Sequence, residues 1–156
     1  MRPTSDRVRE SVFNSLGSFG LVHDARMLDL FAGTGALGLE ALSRGADHVV
    51  FVERDRDGLA VLRENIEILD EANRSTVIAG DAETFVASTT DRFDVALLDP
   101  PYRYEGWADL LRVVPAAVVV IESDREIELP PEWESLRVKQ YAGTVVVIAR
   151  RPAPAD

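Results

Sequence analysis

The sequence predicts an α/β fold: a Rossmann-like, mostly parallel sheet of seven strands, covered by helices and ending at one edge in an antiparallel hairpin. Three observations indicate this fold: five strand candidates are apolar along almost their whole length, amphipathic helix candidates separate them, and a Gly-x-Gly-x-x-Gly segment follows the first strand. Such strands are typical of parallel sheets, because helices bury both faces. The last two strand candidates have no helix between them, which predicts the hairpin. A chain of 156 residues fits a single domain, expected at 1–151, with a short tail at 152–156.

The elements follow in order from local patterns. A helix is predicted within 1–17, because Thr4 or Ser5 can cap it and its apolar residues share one face, at Val8, Val12, Phe13 and Leu16. Strands are predicted at 27–31, 48–53, 75–79, 93–99, 117–122, 136–141 and 143–149. The helices between the first five strands are predicted at 37–43, 58–69, 82–87 and 107–114. Ligands of such sheets bind beyond the carboxyl ends of the strands, so the residues that follow each strand are the candidate site residues.

The composition excludes several kinds of site. There is no cysteine, which excludes disulfides, thiolate metal ligands and a cysteine nucleophile, and two histidines are too few for a multi-histidine metal centre. No apolar run approaches the roughly 20 residues that span a bilayer, and the first six residues lack the apolar core of a secretory signal. We therefore expect a cytoplasmic protein without a metal or a membrane partner. The net charge of −10 argues against broad coating of nucleic acid, although Arg2, Arg7 and Arg9 allow a local basic face.

A glycine loop lies between the first strand and the first crossover helix. Gly33, Gly35 and Gly38 let the backbone turn sharply and let a ligand approach closely. The same loop serves nicotinamide dinucleotides and S-adenosylmethionine, so the glycines alone leave both cofactors open. Asp29 favours the methyl donor, because a carboxylate suits its cationic amino-acid end and would repel a pyrophosphate. The alternatives are a plain strand-to-helix turn for the glycines and a loop organiser or helix cap for Asp29.

Two further carboxylates follow the second and third strands. Glu53 ends the second strand, 20 residues after Gly33, where it can accept hydrogen bonds from ribose hydroxyls. Asp81 can meet the adenine edge of a cofactor, and it can also cap the helix that begins at Ala82; both roles can hold together. Glu53 opens a charged run at 53–57, so a solvated surface segment is the alternative there.

The fourth strand ends in the tetrapeptide Asp99-Pro100-Pro101-Tyr102. Two prolines stiffen the backbone and remove two N–H donors, so the Asp99 carboxylate and the Pro100 carbonyl can accept hydrogen bonds from one amino group. An exocyclic amine is a poor nucleophile because its lone pair is delocalised into the ring, and two acceptors would orient it for in-line attack on a methyl group. Tyr102 offers a flat face on which a base can stack. The segment therefore predicts an amino methyltransferase acting on a nucleic-acid base; the alternative is a proline turn with Tyr102 as packing.

Together these segments resemble the bacterial 16S rRNA (guanine(966)-N(2))-methyltransferases of the RsmD type. The resemblance covers nearly the whole chain and is carried by segments 2–10, 28–46 and 99–102, by Phe13-Asn14, Val52-Glu53, Asn65 and Asp81, and by Tyr141-Ala142-Gly143-Thr144. The Asp-Pro-Pro-Tyr motif is shared by many amino methyltransferases, whereas the opening Arg-Pro-Thr segment is more restricted. Family members usually begin with a basic, glycine-containing segment ahead of Arg-Pro-Thr. We expect such a segment upstream of residue 1 in the natural protein; the alternative is a family member that lacks this RNA-binding arm.

The resemblance implies the class I S-adenosylmethionine-dependent methyltransferase fold, S-adenosylhomocysteine as product and N2 of a guanine in 16S rRNA as acceptor. It implies a substrate within the 30S subunit or an assembly intermediate, and we expect a monomer. The expected catalytic residues are Asp99, Pro100, Pro101 and Tyr102. The expected cofactor-binding residues are Asp29, Phe31, Gly33, Thr34, Gly35, Gly38, Glu53, Arg54, Asp81, Ala82 and Asp99. The expected RNA-binding residues are Arg2, Arg7, Arg9, Tyr102 and Arg103.

The closest alternative is an adenine-N6 methyltransferase acting on DNA or RNA, because that amine presents Asp99 and Tyr102 with the same chemistry. A nicotinamide oxidoreductase would need an acid or base for hydride transfer, and neither histidine lies at the carboxyl end of a strand. A non-catalytic RNA-binding module would need neither the glycine loop nor the tetrapeptide. A solvated helix face is the alternative for the opening arginines. Four further side chains are expected to be structural: His23, His48, Trp107 and Trp133.

Overall fold

The computed structural model describes residues 5–152. Its strands are β1 (Arg26–Leu30), β2 (His48–Glu53), β3 (Ser75–Ala79), β4 (Phe93–Leu98), β5 (Ala116–Ser123), β6 (Glu134–Tyr141) and β7 (Thr144–Arg150). Its helices are α1 (Asp6–Ser18), α2 (Ala36–Ser43), α3 (Arg56–Ile68), α4 (Ala82–Ser88) and α5 (Trp107–Val113), and a 3₁₀ turn spans Ala72–Arg74. The roles expected of Arg2 and Thr4, and the tail beyond residue 152, lie outside the described residues.

The strands form one sheet in the order β3-β2-β1-β4-β5-β7-β6. The first five strands are parallel, and β7 runs antiparallel to both of its neighbours, β5 and β6. The prediction of a mostly parallel sheet with an antiparallel edge hairpin is therefore confirmed. The chain places β2 and β3 on one side of β1, and β4 and β5 on the other. The loops after β1 and β4 diverge at this switch point, which is where open sheets bind ligands.

Most element boundaries lie within two residues of the predicted ones, and the departures have local causes. Phe31 leaves β1 because its φ is 60°, in the left-handed region that a strand does not contain. The helix α3 begins at Arg56 because Asp55 caps it, with Oδ2 accepting from the Gly58 amide over 2.8 Å. The predicted cap of α1 is confirmed at Ser5, whose Oγ accepts from the Val8 amide over 3.2 Å. Such a cap stabilises a helix by about 1 kcal/mol.

Apolar side chains form a core on each face of the sheet. The helices α1, α2 and α3 cover one face, where Phe13, Met27 and Phe51 are fully buried. The helices α4 and α5 cover the other, where Leu28 and Leu98 are buried. Met27 and Leu28 are consecutive and enter opposite cores, as the two-residue period of a strand requires. Each such side chain contributes about 1.5–3 kcal/mol on burial, so the two cores hold the ends of the strands in fixed positions.

Two of the side chains expected to be structural, Trp133 and His48, have contacts that join separate segments of the chain. Trp133 is buried, and its indole N–H donates to the Leu111 carbonyl over 2.9 Å. His48 Nε2 lies 2.8 Å from the Thr76 hydroxyl, and His23 is exposed beside Asp24. Among residues 5–152, every helix is too short or too polar to traverse a bilayer.

Candidate active site

A cavity of about 450 Å³ opens at the carboxyl edge of the sheet, at the switch point between β1 and β4. Its volume lies in the range of small-molecule sites, roughly 300–1,000 Å³. The loops after all five parallel strands contribute to its wall. The lining residues are Phe31, Val52, Glu53, Arg54, Asp55, Gly80, Asp81, Ala82, Glu83, Asp99, Pro100, Pro101, Tyr102, Tyr104, Trp107, Glu122, Ser123 and Asp124.

The glycine loop follows β1 and turns sharply before α2. Gly33 and Gly35 have φ values of 57° and 86°, and a Cβ on Gly35 would collide with Leu62. Gly38 lies in α2, where a Cβ would strike the ring of Phe51 on β2, so its role is close packing of the helix on the sheet. Asn65 on α3 holds the loop by donating to the Thr34 carbonyl over 3.0 Å. These residues shape the loop, but none of the glycines, nor Thr34, lines the cavity.

Glu53 joins the glycine loop to the end of β2. Its Oε1 accepts from the Gly33 amide and its Oε2 accepts from the Asp55 amide, each over 2.7 Å. The side chain is only 8% exposed, so it does not belong to a solvated charged run. A carboxylate offers about four acceptor positions, and Glu53 lines the cavity, so two remain for ribose hydroxyls. The predicted ribose contact is compatible with this geometry and stays a prediction.

Asp29 lies beneath the loop, not in the cavity wall. It is 1% exposed, its Oδ2 accepts from the Gly38 amide over 3.0 Å, and it does not line the cavity. Burial raises the pKa of the Asp29 carboxyl well above its ordinary value of 3.8, although the hydrogen bond from Gly38 opposes that rise. The geometry supports the loop-organising role, and the expected contact with the amino-acid end of the cofactor stays a prediction.

Asp81 caps α4 and faces the cavity at the same time. Its Oδ2 accepts from the Thr84 amide over 3.1 Å, and its Oδ1 lies 3.6 Å from Nη1 of Arg54. Arg54, Asp81 and Ala82 all line the cavity, as does the backbone of Gly80, where a Cβ would meet nothing within 4 Å. The two roles weighed for Asp81 are therefore compatible in one conformation.

The Asp-Pro-Pro-Tyr segment follows β4, and all four of its residues line the cavity. Tyr102 is 67% exposed, so it is not a core side chain and its ring is available to a partner. The guanidinium of Arg103 lies 5.4 Å from the centre of that ring. Arg103 itself has a φ of 63°, and the Tyr104 amide donates to the Pro101 carbonyl, so the segment is a closed turn. The turn presents Tyr102 in the cavity wall; Arg103 does not line the cavity but lies beside the Tyr102 ring.

An aromatic cluster behind this turn includes two side chains that sequence reasoning did not assign to the site. The Tyr104 ring lies edge-on to both Phe31 and Trp107, with centroids 5.3 Å apart in each pair. The Tyr104 hydroxyl donates to Glu83 Oε1 over 2.6 Å, which joins the turn to α4 across the cavity. Trp107 is buried as expected, yet it also forms part of the cavity wall. The sequence did contain a signal for this role: Tyr104 and Trp107 are aromatic residues that closely follow the Asp-Pro-Pro-Tyr segment, just before and at the start of α5.

The cavity wall is strongly acidic. Seven of its side chains carry carboxylates, namely Glu53, Asp55, Asp81, Glu83, Asp99, Glu122 and Asp124, whereas Arg54 supplies the guanidinium. Glu122 and Asp124 were not predicted as site residues, although Glu122 lies in the last two residues of β5 and Asp124 directly follows that strand, so both could have been placed at this edge. Such a wall attracts a cation and repels a pyrophosphate. It therefore favours a sulfonium cofactor over a dinucleotide. Within residues 5–152, no group of three acidic or histidine side chains is arranged to hold a metal ion.

The arginines expected to contact RNA have different surroundings. Arg9 is 24% exposed and lies 2.7 Å from Asp6 and 3.3 Å from Glu40, so it joins α1 to α2. Arg7 is exposed on α1, and Arg103 lies beside Tyr102. The RNA contacts of these residues stay predictions, and the geometry favours Arg7 and Arg103 over Arg9.

Known proteins match this chain over most of its length. The family model described as "Conserved hypothetical protein 95" matches residues 1–150. A Bacillus subtilis protein assigned as an rRNA methyltransferase, YlbH, is 37% identical over 163 residues, covering 96% of this chain and 88% of that protein. The ribosomal RNA small subunit methyltransferase D of Escherichia coli strain K12 is 38% identical over 154 residues, covering 93% of this chain and 76% of that protein. The solved structure of the Escherichia coli protein YhhF, assigned as a methyltransferase, matches with a TM-score of 0.88 at 34% identity, covering 99% of this chain and 89% of that one.

Proposed function

The chain belongs to the RsmD family of small-subunit rRNA methyltransferases, and we propose that it methylates the exocyclic N2 amine of a guanine in 16S rRNA. It is an S-adenosylmethionine-dependent methyltransferase. The observation that carries the proposal is the convergence of Asp99-Pro100-Pro101-Tyr102 with Glu53 and Asp81 on one cavity. The first group can hold an amine, and the second can hold a nucleoside cofactor.

The residues at the cavity fit S-adenosylmethionine. Glu53 retains acceptor positions for the ribose hydroxyls, and Asp81 and the backbone of Ala82 can bind the adenine edge. The absence of a side chain at Gly80 leaves space beside them. The acidic wall suits the positive charges of the sulfonium and the ammonium. When bound, the cofactor supplies an electrophilic methyl group.

Asp99 and the Pro100 carbonyl orient the attacking amine. An ionised carboxylate accepts hydrogen bonds and donates none, and proline leaves its carbonyl without a competing N–H. Two acceptors on the two hydrogens favour the pyramidal amine, so that its lone pair can point along the line of attack. Most of the rate acceleration then comes from positioning, with electrostatic stabilisation of the positive charge that develops on nitrogen. Asp99 need not be a strong base, because the nitrogen becomes acidic only as the new bond forms.

Tyr102 and Arg103 hold the base at the mouth of the cavity. A base within a helix cannot reach Asp99, so the target nucleotide must be flipped out or already unpaired. The exposed ring of Tyr102 provides a stacking surface, and Arg103 adds a positive charge beside that ring. Two tasks are therefore divided between neighbouring residues. Tyr102 and Arg103 hold the base, whereas Asp99 and the Pro100 carbonyl hold its amine.

The acidic edge also favours guanine over adenine. Leu98 pairs with Ile121 in the parallel register of β4 and β5, so Asp99 and Glu122 follow at neighbouring strand ends. Guanine presents the N1–H donor beside its N2 amine, whereas adenine presents an acceptor at N1 beside its N6 amine. Neighbouring carboxylates therefore complement the guanine edge and repel the adenine edge.

The partner and the compartment follow from the same proposal. With a net charge of −10, the protein gains little from naked RNA through long-range electrostatics, and an assembled particle offers recognition surfaces that RNA alone lacks. We therefore expect the substrate to be the 30S subunit or an assembly intermediate, the enzyme to act as a monomer, and the reaction to take place in the cytoplasm.

A transfer assay tests the proposal directly. Labelled methyl transfer from S-adenosylmethionine is measured with unmodified 30S subunits, naked 16S rRNA and duplex DNA, followed by nucleoside analysis. N2-methylguanosine from 30S subunits is the expected product. If the product is N6-methyladenine, the acceptor is adenine and the alternative function is correct. Methyl transfer to naked rRNA but not to 30S subunits would contradict the expected particle substrate.

The role of Asp99 is tested by Asp99→Ala, with the exposed Asp109→Ala on α5 as the matched control. We expect Asp99→Ala to abolish turnover while the dissociation constant of S-adenosylmethionine changes little, because Asp99 acts chiefly on the amine; a large rise in that constant would instead support the cofactor contact also expected of Asp99. The control should retain both. Normal turnover of Asp99→Ala would contradict the mechanism.

A further inference from the structure

A second concavity lies between α1 and β6, with a volume of about 490 Å³. It shares no lining residue with the cavity at the sheet edge. We define the α1–β6 groove by its three cations, Arg7 on α1 and Arg137 and Lys139 on β6, and by the hydroxyls of Ser11 and Ser15. Lys139 is the sole lysine of the chain.

The cations of the groove are not neutralised by carboxylates. Arg137 donates to the Ser15 hydroxyl over 3.0 Å, and Lys139 donates to the Ser11 hydroxyl over 3.3 Å. In the part of the chain that the structure describes, none of the three cations has a carboxylate within the 4.0 Å of an ion pair. Glu10 is the carboxylate among the lining residues, which leaves an excess of two positive charges. This excess stands out on a protein with a net charge of −10.

The serines hold two of the cations at a fixed spacing. Arg137 and Lys139 are two residues apart on β6, so they project from the same side of the strand about 7 Å apart. Arg137 is held further by the ring of Phe19, which lies 5.2 Å from its guanidinium. Hydroxyls leave the positive charge of both side chains in place, whereas a carboxylate would cancel it. A row of spaced, fixed cations complements a polyanion with a repeating charge.

The groove runs towards the catalytic edge. Tyr141 ends β6 opposite Thr144, and Ser123 ends β5 opposite Val145, so both strands finish at the edge that holds the cavity. The Tyr141 hydroxyl donates to Ser11, which places the first half of α1 near that edge as well. A strand with one base in the cavity could therefore continue along the groove, away from the acidic wall that would repel its phosphates.

We propose that the α1–β6 groove binds the phosphodiester backbone of the RNA strand that flanks the target nucleotide, with Arg7, Arg137 and Lys139 each neutralising a phosphate. The proposal rests on an RNA substrate as proposed above and names the surface that holds it. It also separates the arginines of α1: Arg7 faces the groove, whereas Arg9 is engaged by Asp6 and Glu40. Phosphate contacts supply affinity and register, and base identity is read in the cavity.

The test compares two triple variants with the same change in charge. One carries Arg7→Gln, Arg137→Gln and Lys139→Gln. The control carries glutamine at three exposed arginines outside the groove: Arg63, Arg92 and Arg112. Binding to a labelled single-stranded fragment of 16S rRNA is measured at several salt concentrations. Each lost phosphate contact lowers the slope of log K against log salt by about 0.7 for a single strand.

The groove variant should lose about 2 units of slope relative to the wild type, and the control should lose none. Over a fourfold rise in salt, a difference of that size makes the wild type lose about 20-fold more affinity than the groove variant. The dissociation constant of S-adenosylmethionine and kcat at saturating 30S subunits should stay at wild-type values, while KM for the subunits should rise. A charge-preserving swap, Arg137→Lys with Lys139→Arg, should keep the wild-type slope.

Equal slopes for the groove variant and the control would overturn the proposal. If these two slopes are equal but the groove variant methylates 30S subunits more weakly than the control, the groove binds a ribosomal protein and not RNA. A swap variant that loses as much slope as the glutamine variant would show that packing, not charge, is at work, which also overturns it. Because binding is measured without turnover, these outcomes are distinct from a failure of methyl transfer, which would contradict the proposed function.

Discussion

Glu53→Gln should weaken cofactor binding and also destabilise the protein without cofactor. In the wild type, the two carboxylate oxygens of Glu53 accept from the Gly33 and Asp55 amides, each over 2.7 Å, and the side chain is buried. Glutamine has the same shape but only one acceptor oxygen, and its NH₂ group is a donor. One of the two backbone amides would therefore face another donor, and the glycine loop would lose one of its attachments.

The two effects have separate magnitudes. A buried donor left without an acceptor costs about 1–3 kcal/mol of unfolding free energy, and a protein of this size loses roughly 2–4 °C in Tm for each kcal/mol. Loss of a charged acceptor for the ribose hydroxyls costs about 1.5–3 kcal/mol of binding free energy. That loss corresponds to a roughly 10- to 150-fold higher Kd for S-adenosylmethionine.

Thermal unfolding without cofactor and calorimetric titration with S-adenosylmethionine measure the two effects. The control is Glu64→Gln, which removes one exposed carboxylate from α3 and should change the unfolding free energy by no more than about 0.5 kcal/mol. A lower Tm with an unchanged Kd would refute the ribose contact and leave Glu53 as a support of the loop. If neither quantity changes, the reasoning from the two amide hydrogen bonds is wrong as well.

Three further substitutions test other parts of the site. Tyr102→Ala should raise KM for the RNA substrate, because it removes one stacking contact with a free energy of about 1–3 kcal/mol. Tyr102→Phe keeps the ring and should leave KM unchanged, so equal KM values for the two variants would contradict stacking. Tyr104→Phe removes the hydrogen bond to Glu83 and should speed hydrogen exchange at the start of α4, whereas unchanged exchange would show that this bond does not hold the turn. Asp29→Asn keeps an acceptor for the Gly38 amide but cannot ionise, and burial raises the pKa of Asp29 in the folded state. The contribution of Asp29 to wild-type stability should therefore fall as pH rises from below 3.8 through the raised pKa, so the difference in urea unfolding free energy between wild type and variant should change over that range; parallel pH profiles would contradict the burial argument.

Much of the site was predictable because parallel strands end at one edge. Glu53 ends a strand, Asp81 and Asp99 come just after strands, and the structure brings all three to one cavity. The prolines after Asp99 predicted a stiff turn, and the structure has one, with the Tyr104 amide donating to the Pro101 carbonyl. These predictions needed only strand direction and the fixed φ of proline, which are properties of short segments.

Other parts of the site depended on contacts between distant segments. The predicted cofactor role of Asp29 followed from its place at a strand end, but the residue lies beneath the loop because α2 packs over it and Gly38 donates to it. Arg9 pairs with Asp6 in its own helix, which its sequence neighbours could suggest, but its second partner, Glu40, lies 31 residues away. Tyr104 becomes part of the cavity wall through Glu83 on another element.

The sequence by itself determined the alternation of strands and helices, the edge hairpin, the glycine turn and the tetrapeptide that identifies amine chemistry. Each of these is set by apolar periodicity, capping or backbone restriction within a few residues. Tertiary structure alone decided which charges stay free and which are cancelled: the α1–β6 groove joins Ser15 to Arg137 across 122 positions of sequence and Ser11 to Lys139 across 128. A cation carries no sign of a distant partner in the sequence, because the distance between charged groups on different elements is defined only once the sheet and its helices have packed.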